Sequence, residues 1–227
     1  MTQQSGLPTP PGSDVPFGDS LPLLPLRASV LFPGAVAPFD CGRQKSVELV
    51  RDGDNRPDGV IAIFTQRDPS TDDPGKDDVY AVGCAARVLK ALKHSSGNYS
   101  LIVQGLARVR LEEVTQTSPY LMARISRLDV GAGPGAALDD EVEALNRSLR
   151  DVAKEVITRM PELPVEAAAL VDSITSTGAL ADLVAHNLAV PVREKVQLLE
   201  TVDLRDRTRR VLALLAEQLE VLKRRAP

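Results

Sequence analysis

The sequence predicts an α+β fold, a β-rich half followed by an all-α helical bundle that ends in a long helix. Three observations predict it. Between residues 21 and 128, apolar side chains run in short blocks or alternate with polar ones. Gly131, Gly133, Pro134 and Gly135 then form a linker of small residues. Beyond it apolar residues recur at spacings of three and four, the period of an amphipathic helix.

Taken in order, residues 1–20 interleave Pro8, Pro10, Pro11 and Pro16 with Gly6, Gly12 and Gly18. They offer little to bury and are expected to be disordered. The β-rich unit spans residues 21–129. Within it, Val60–Ile61–Ala62–Ile63–Phe64 is a continuous apolar run that suits a strand covered on both faces. Ala107, Val109 and Leu111 alternate with Arg108, Arg110 and Glu112, the period of a half-buried strand. Leu121, Ala123 and Ile125 repeat that pattern. Ser95–Ser96–Gly97–Asn98 joins two extended runs into a hairpin. One helix interrupts this half, from Arg43 to Arg51, with Val47 and Val50 inward and Gly53 placed to stop it. After a linker at 130–137, the bundle occupies 138–227. Val142, Leu145, Leu149, Val152 and Val156 form its first stripe, which Pro161 and Pro164 end. Leu170, Val171 and Ile174 mark a second helix. Leu180, Leu183, Val184 and Leu188 mark a third after Ser176. Pro191 suits the first turn of a fourth. The last opens at Asp203 and carries Leu204, Val211, Leu215, Leu219 and Leu222 inward. It is expected to be about 35 Å long.

Composition narrows the function. The chain has 227 residues and a net charge of −4, a balance that speaks against a nucleic-acid partner. No apolar run approaches the roughly 18 residues of a membrane span. The N-terminus lacks a basic start and an apolar core, and Cys41 and Cys84 are too few for a disulfide framework. A cytoplasmic location is expected, with both cysteines reduced in the core.

Chemistry is expected to be absent. No G-x-x-x-x-G-K-[ST] phosphate loop occurs, and Gly42–Arg43–Gln44–Lys45–Ser46 lacks its spacing. Cys41, Cys84, His94 and His186 are too scattered to make a zinc site, and both histidines are expected at surfaces. His94 beside Ser95 and Ser96 lies in a turn rather than in a nucleophile–base arrangement. Asp68, Asp72, Asp73, Asp77 and Asp78 lack calcium-loop spacing and read as a solvated acidic loop. The prediction is a protein with no enzymatic activity, no cofactor and no metal.

Six segments in order resemble the N-terminal substrate-binding domain of the Lon family of ATP-dependent proteases. Leu21–Pro22–Leu23–Leu24–Pro25–Leu26–Arg27 followed by Leu31–Phe32–Pro33–Gly34 is similar to that domain's opening strand and F-P-G turn. Gly42–Arg43 with Lys45–Ser46 matches its G-R-x-K-S. Gln66–Arg67–Asp68–Pro69, Asp72–Asp73–Pro74 and Asp78–Val79–Tyr80–Ala81–Val82–Gly83 resemble the next loop and strand. Gly105–Leu106–Ala107–Arg108–Val109–Arg110 matches a further strand, with Gln104 where the family carries an acidic residue. Leu180–Ala181–Asp182–Leu183–Val184–Ala185 resembles the L-A-D-x-I-A of its helical part, and Glu194–Lys195 with Gln197–Leu198–Leu199–Glu200 continues it. Ala28 departs from the family's usual polar residue. Gly83 and Gly105 are read as standing where strands begin or end.

The resemblance implies a PUA-like pseudobarrel followed by a helical bundle, without the ATPase and the Ser–Lys peptidase that follow in Lon proteases. Lys223–Arg224–Arg225–Ala226–Pro227 reads as a natural end, which favours a stand-alone protein over a fragment. The expected function is non-catalytic recognition of unfolded or degron-bearing proteins, presented to a Lon-type ATPase-protease in cis or in trans. An RNA-binding module is the alternative, but residues 21–129 hold 14 Lys and Arg against 13 Asp and Glu. A second alternative is homo-oligomerisation through the terminal helix. Apolar residues beside turns are the candidate contacts: Leu24, with Phe32 and Pro33 near it, and Leu89, Leu92 and Tyr99 on the hairpin.

Overall fold

A computed structural model describes residues 16–55, 59–128, 140–160, 162–163 and 166–225. The first half contains β1 (Ser20–Leu26), β2 (Val36–Cys41), α1 (Gln44–Arg51), β3 (Val60–Thr65), β4 (Val82–Lys93), β5 (Tyr99–Gln116) and β6 (Met122–Arg127). The strands form one mixed sheet in the order β2-β5-β4-β3-β1-β6, and β6 also pairs with β5. Among the described strands only β1 and β3 pair in parallel. With 18 residues, β5 pairs with β4 along one edge and is long enough to serve two further neighbours along the other. From Val109 onward it pairs with β6, which closes β1, β3, β4, β5 and β6 into a near-barrel. From Tyr99 to Gln104 it pairs instead with β2, outside the barrel. The far end of β4 and the near end of β5, joined at Gly97 with φ +86°, therefore project as an arm. A positive φ is easily adopted by glycine, which is why the turn carries one there.

The continuous apolar run of β3 is buried throughout, as its composition predicts. Val60, Ala62 and Phe64 join the barrel interior with Leu23, Val109 and Ala123. Ile61 and Ile63 face the other way, into a layer with Leu24, Leu49 and Leu101. In α1 the inward residues are Leu49 and Val50, with Val47 only half-buried, so the helix is rotated from the expected Val47–Val50 face. Gly105 lies inside β5 rather than at a strand end. A Cβ there would run into the Phe32 carbonyl, so close backbone approach explains the glycine.

The second half holds α2 (Asp140–Thr158), α3 (Glu166–Ser173), α4 (Thr177–Asn187), α5 (Val192–Glu200) and α6 (Leu204–Arg225). The expected α2 stripe is buried at Val142, Leu149 and Val156, with Leu145 and Val152 at its margin. Ser176 caps α4 by accepting the Ala179 amide, and Asp203 opens α6 by accepting the Asp206 amide at 2.9 Å. Val211, Leu215 and Leu219 of α6 pack into the bundle, and at 22 residues the helix is about 33 Å long. Of the residues that mark α3 in the sequence, Val171 is buried and Leu170 is exposed.

The two halves share a core. Val30, Phe32 and Val82 from the β-rich half are buried in one cluster with Leu180, Ala181, Leu198 and Leu199. The expected linker at 130–137 and most of the expected tail lie outside the described residues. No helix is long and apolar enough to cross a membrane among the described residues.

Candidate functional site

The four candidate contact residues divide. Leu24 is 1% exposed and belongs to the layer under α1, so the accessibility expected of it is corrected. Proximity to a turn misled, because α1 and the loop before β2 fold back over that end of β1. Phe32 is likewise fully buried, against the helical half, while Pro33 is half-buried. On the arm, Leu89 is 50% and Leu92 44% exposed. Tyr99 is half-buried and packs along the edge of the same layer as Leu101.

Register explains why the arm leaves leucines in solvent. Val88 lies opposite Val103 and Lys90 opposite Ile102, so Leu89 is an extra residue in a β-bulge. Its side chain lines a groove of about 230 Å³ with Leu49, Val50, Val88, Ala91 and Leu101. Leu92 lies opposite Ser100, which in turn lies opposite Asp40 of β2. The arm therefore presents one leucine beside a groove and another on a second surface. Val36 of β2, 55% exposed and opposite Gln104, was not singled out from the sequence. Its signal in the sequence was a valine two residues after the turn glycine Gly34, which does not distinguish an edge strand from a covered one.

Polar constellations on the described surface are already satisfied. His94 Nε2 lies 2.7 Å from Ser100 Oγ, and Ser100 Oγ donates to Asp40 Oδ1 at 2.5 Å. The order is wrong for nucleophilic catalysis: the serine proton goes to the carboxylate, and the histidine supplies a donor rather than a base. A cleft of about 400 Å³ is lined by Arg43, Lys45, Ser46, Asp72 and Asp73. Its cations are occupied, since Arg43 donates to Gln66 Oε1 and the Pro25 carbonyl at 2.6 Å and Lys45 pairs with Asp73 at 2.7 Å. In the acidic loop, Asp68 accepts from Ser70, Asp72 pairs with Arg27 and Asp78 accepts the Gly75 amide. Among the described residues no group of three or more His, Cys, Asp or Glu is placed to hold a metal ion. Cys41 and Cys84 are free and buried, and burial beside Asp40 pushes the Cys41 thiol up to about 11.

One buried polar network holds the barrel stretch of β5 to the bundle, and the sequence reading missed it. Arg108, expected to alternate outward, is 1% exposed. Its guanidinium donates to both carboxylate oxygens of Asp182 on α4, at 2.7 and 2.5 Å, and its Nε donates to the Leu199 carbonyl at the end of α5. Arg207 of α6 lies 3.3 Å from the same carboxylate and donates to the Thr201 and Val202 carbonyls. The period-2 pattern fails at Arg108 because the helical half covers the second face of β5. His186, expected at the surface, is half-buried between the halves with its ring edge-on to Phe32. Lys195 donates to its carbonyl. Burial, then the nearby Lys195 charge, lowers the His186 pKa, partly offset by the Val30 main chain.

Comparison with known proteins places this architecture. Residues 20–217 match the family described as the ATP-dependent protease La (LON) substrate-binding domain. The chain is 48% identical over 226 residues to Lon protease 2 of Myxococcus xanthus, covering 96% of this chain and 27% of that protein. It is 52% identical over 204 residues to the Lon protease of Anaeromyxobacter dehalogenans, covering 89% and 24%. Among solved structures, the N-terminal domain of Mycobacterium avium complex Lon protease superposes with a TM-score of 0.70 at 22% identity, over 87% of this chain and 98% of that one. A Lon N-terminal domain protein from Xanthomonas campestris gives 0.58 at 22% identity, over 86% and 97%. The structural likenesses show the fold. The chain spans about a quarter of the length of the curated relatives it matches.

Proposed function

The chain belongs to the family of Lon (ATP-dependent protease La) substrate-binding domains, and from that premise we propose that it captures unfolded or degron-bearing proteins on the β4–β5 arm. It acts by binding, in the cytoplasm, and the hydrolysis belongs to a Lon-type ATPase-protease in cis or in trans. The observation that carries this reading is the pair of exposed leucines, Leu89 and Leu92, on a projecting arm beside an apolar groove. Non-native chains share apolar segments and no fixed shape, so their receptor needs accessible apolar surface held on a rigid frame.

The terminal helix supports the oligomer reading less. Its apolar stripe is used within its own bundle, and Val221 is the large hydrophobic it leaves exposed among the described residues.

The test is the double substitution L89S/L92S, measured by anisotropy with a fluorescein-labelled, permanently unfolded protein and accompanied by a thermal melt. Loss of both contacts should weaken capture by about 1–3 kcal/mol while the melt is unchanged, because both side chains are solvated in the free protein. Equal affinity for variant and wild type would remove the arm from the binding surface.

A further inference from the structure

The β4–β5 hairpin, of which the arm is the far end, carries a charge pattern that the chain as a whole does not. Residues 79–111 hold five Lys and Arg and no Asp or Glu, within a chain of net charge −4. Arg108 is consumed by the buried pair with Asp182. Lys90 and Lys93 are not consumed. Both are exposed on the arm, Lys90 lining the groove beside Leu89 and Lys93 opposite Tyr99 next to Leu92. Neither makes a hydrogen bond or ion pair with any described residue. Among the described residues, the carboxylates nearest the groove have partners: Asp40 accepts from Ser100, and Asp52, beside the groove residue Gly53, accepts from the Tyr120 hydroxyl.

Resting on the capture reading above, we propose that the arm selects extended apolar segments flanked by acidic residues. The groove, about 230 Å³, has room for an apolar side chain; Lys90 stands between the two exposed leucines and Lys93 directly after Leu92, so an ammonium group follows each leucine along the strand. Beyond Val88, β4 pairs with β5 alone among the described residues, which leaves an extended segment a strand edge to lie along. A carboxylate on either side of its apolar residue then meets Lys90 or Lys93, which removes two unpaired charges from the neighbourhood of apolar surface. A nucleic acid fits less well. Tyr99 is the arm's sole aromatic and is packed against the core, so bases find no stacking platform. Lysines on an open edge also discourage strand pairing between molecules whatever the partner's charge. Only a dependence on the sign of the flanking residues separates selection from that general role.

The experiment uses the full chain and three fluorescein-labelled peptides with one apolar core, flanked on each side by two glutamates, two serines or two lysines. The glutamate-flanked peptide should bind roughly fivefold tighter than the serine-flanked one in low salt, and the lysine-flanked peptide weakest. The preference should collapse in 0.5 M sodium chloride, where screening acts within about 4 Å. It should reverse in K90E/K93E and vanish in the milder K90Q/K93Q, with melts unchanged for both. If all three peptides bind alike and L89S/L92S still abolishes binding, capture by the arm stands and the charge selection is wrong. If none of the three binds, the capture reading itself falls. An oligothymidylate that binds more tightly than the glutamate-flanked peptide, and is lost in K90Q/K93Q, would also overturn the proposal in favour of nucleic acid.

Discussion

Arg108 is the residue at which local pattern and tertiary structure disagree most. Alternation along β5 assigns it to solvent, and the structure buries it against Asp182 with both carboxylate oxygens bonded. Nothing within a strand's length signals this, because the covering helix lies 74 residues away. The apolar partners of β5 were legible, since period 2 reads one face directly; occupancy of its other face is a property of the chain fold. Removing one member of a buried pair strands the other without solvent. Arg108→Ala is therefore expected to cost about 3–5 kcal/mol in urea unfolding, a large share of the roughly 5–15 kcal/mol that a domain commands. The double variant R108M/D182L should cost less than the sum of the two single changes, and strict additivity would show that the pair is uncoupled. His186 makes a second prediction at this scale. Its folded pKa lies below the ordinary 6.5 through burial and the Lys195 charge. The unfolded state therefore takes up the proton first. The associated stability is fully present above about pH 6.5 and is lost as pH falls from there through the folded pKa. Unfolding free energies at pH 7.5 and 5.5, above the range of ordinary carboxylates, should fall for the wild type and fall less for His186→Asn. Equal slopes would show that His186 does not titrate with folding.

Elements were legible where one periodicity ran unbroken. The β3 run, the β4–β5 turn, the α2 stripe and the Asp203 start of α6 all stand where composition put them. Short elements were less legible: α1 turns Leu49 inward rather than Val47, and α3 leaves Leu170 exposed, because eight residues hold too few apolar positions to fix a face. The candidate surface shows the same limit. A turn marks where burial is incomplete only if nothing later in the chain folds over it. That condition holds for Leu89 and Leu92 on the arm and fails for Leu24, which α1 helps to cover. The arm's register hangs on its turn, where Gly97 has φ +86° and nothing lies within 4 Å of an added Cβ. Gly97→Ala thus meets no steric neighbour and bears only the left-handed backbone penalty, about 1–2 kcal/mol. The expected outcome is a lower melting temperature with peptide capture kept once the arm is folded. An unchanged melt would mean that the arm contributes nothing to global stability and opens independently.

At the scale of the molecule, the change of composition after residue 130 reads as a boundary between two units, yet the apolar contacts cross it. Phe32, Val30 and Val82 lie in the same cluster as Leu180, Leu198 and Leu199, and the Arg108–Asp182 pair lies between the halves. A β-rich half standing alone would expose Phe32 and leave Arg108 without its carboxylate, and a helical half alone would leave Asp182 with Arg207 as its described partner. Either loss is comparable to the whole stability of a small domain, so the halves are expected to unfold together. The sequence itself supplies the probes. All three tyrosines, Tyr80, Tyr99 and Tyr120, lie in the β-rich half and there is no tryptophan, so near-ultraviolet ellipticity and tyrosine fluorescence report that half alone. Five of the six helices lie beyond residue 139, so ellipticity at 222 nm reports mainly the other. In a urea titration the curves should share one midpoint and one slope, the signature of a two-state transition. Arg108→Ala should move both curves together to lower urea. Two separated midpoints in the wild type would overturn the shared core as a source of cooperativity. Separation only in Arg108→Ala would show that the buried pair, rather than the apolar contact around Phe32, is what couples the arm-bearing half to the bundle.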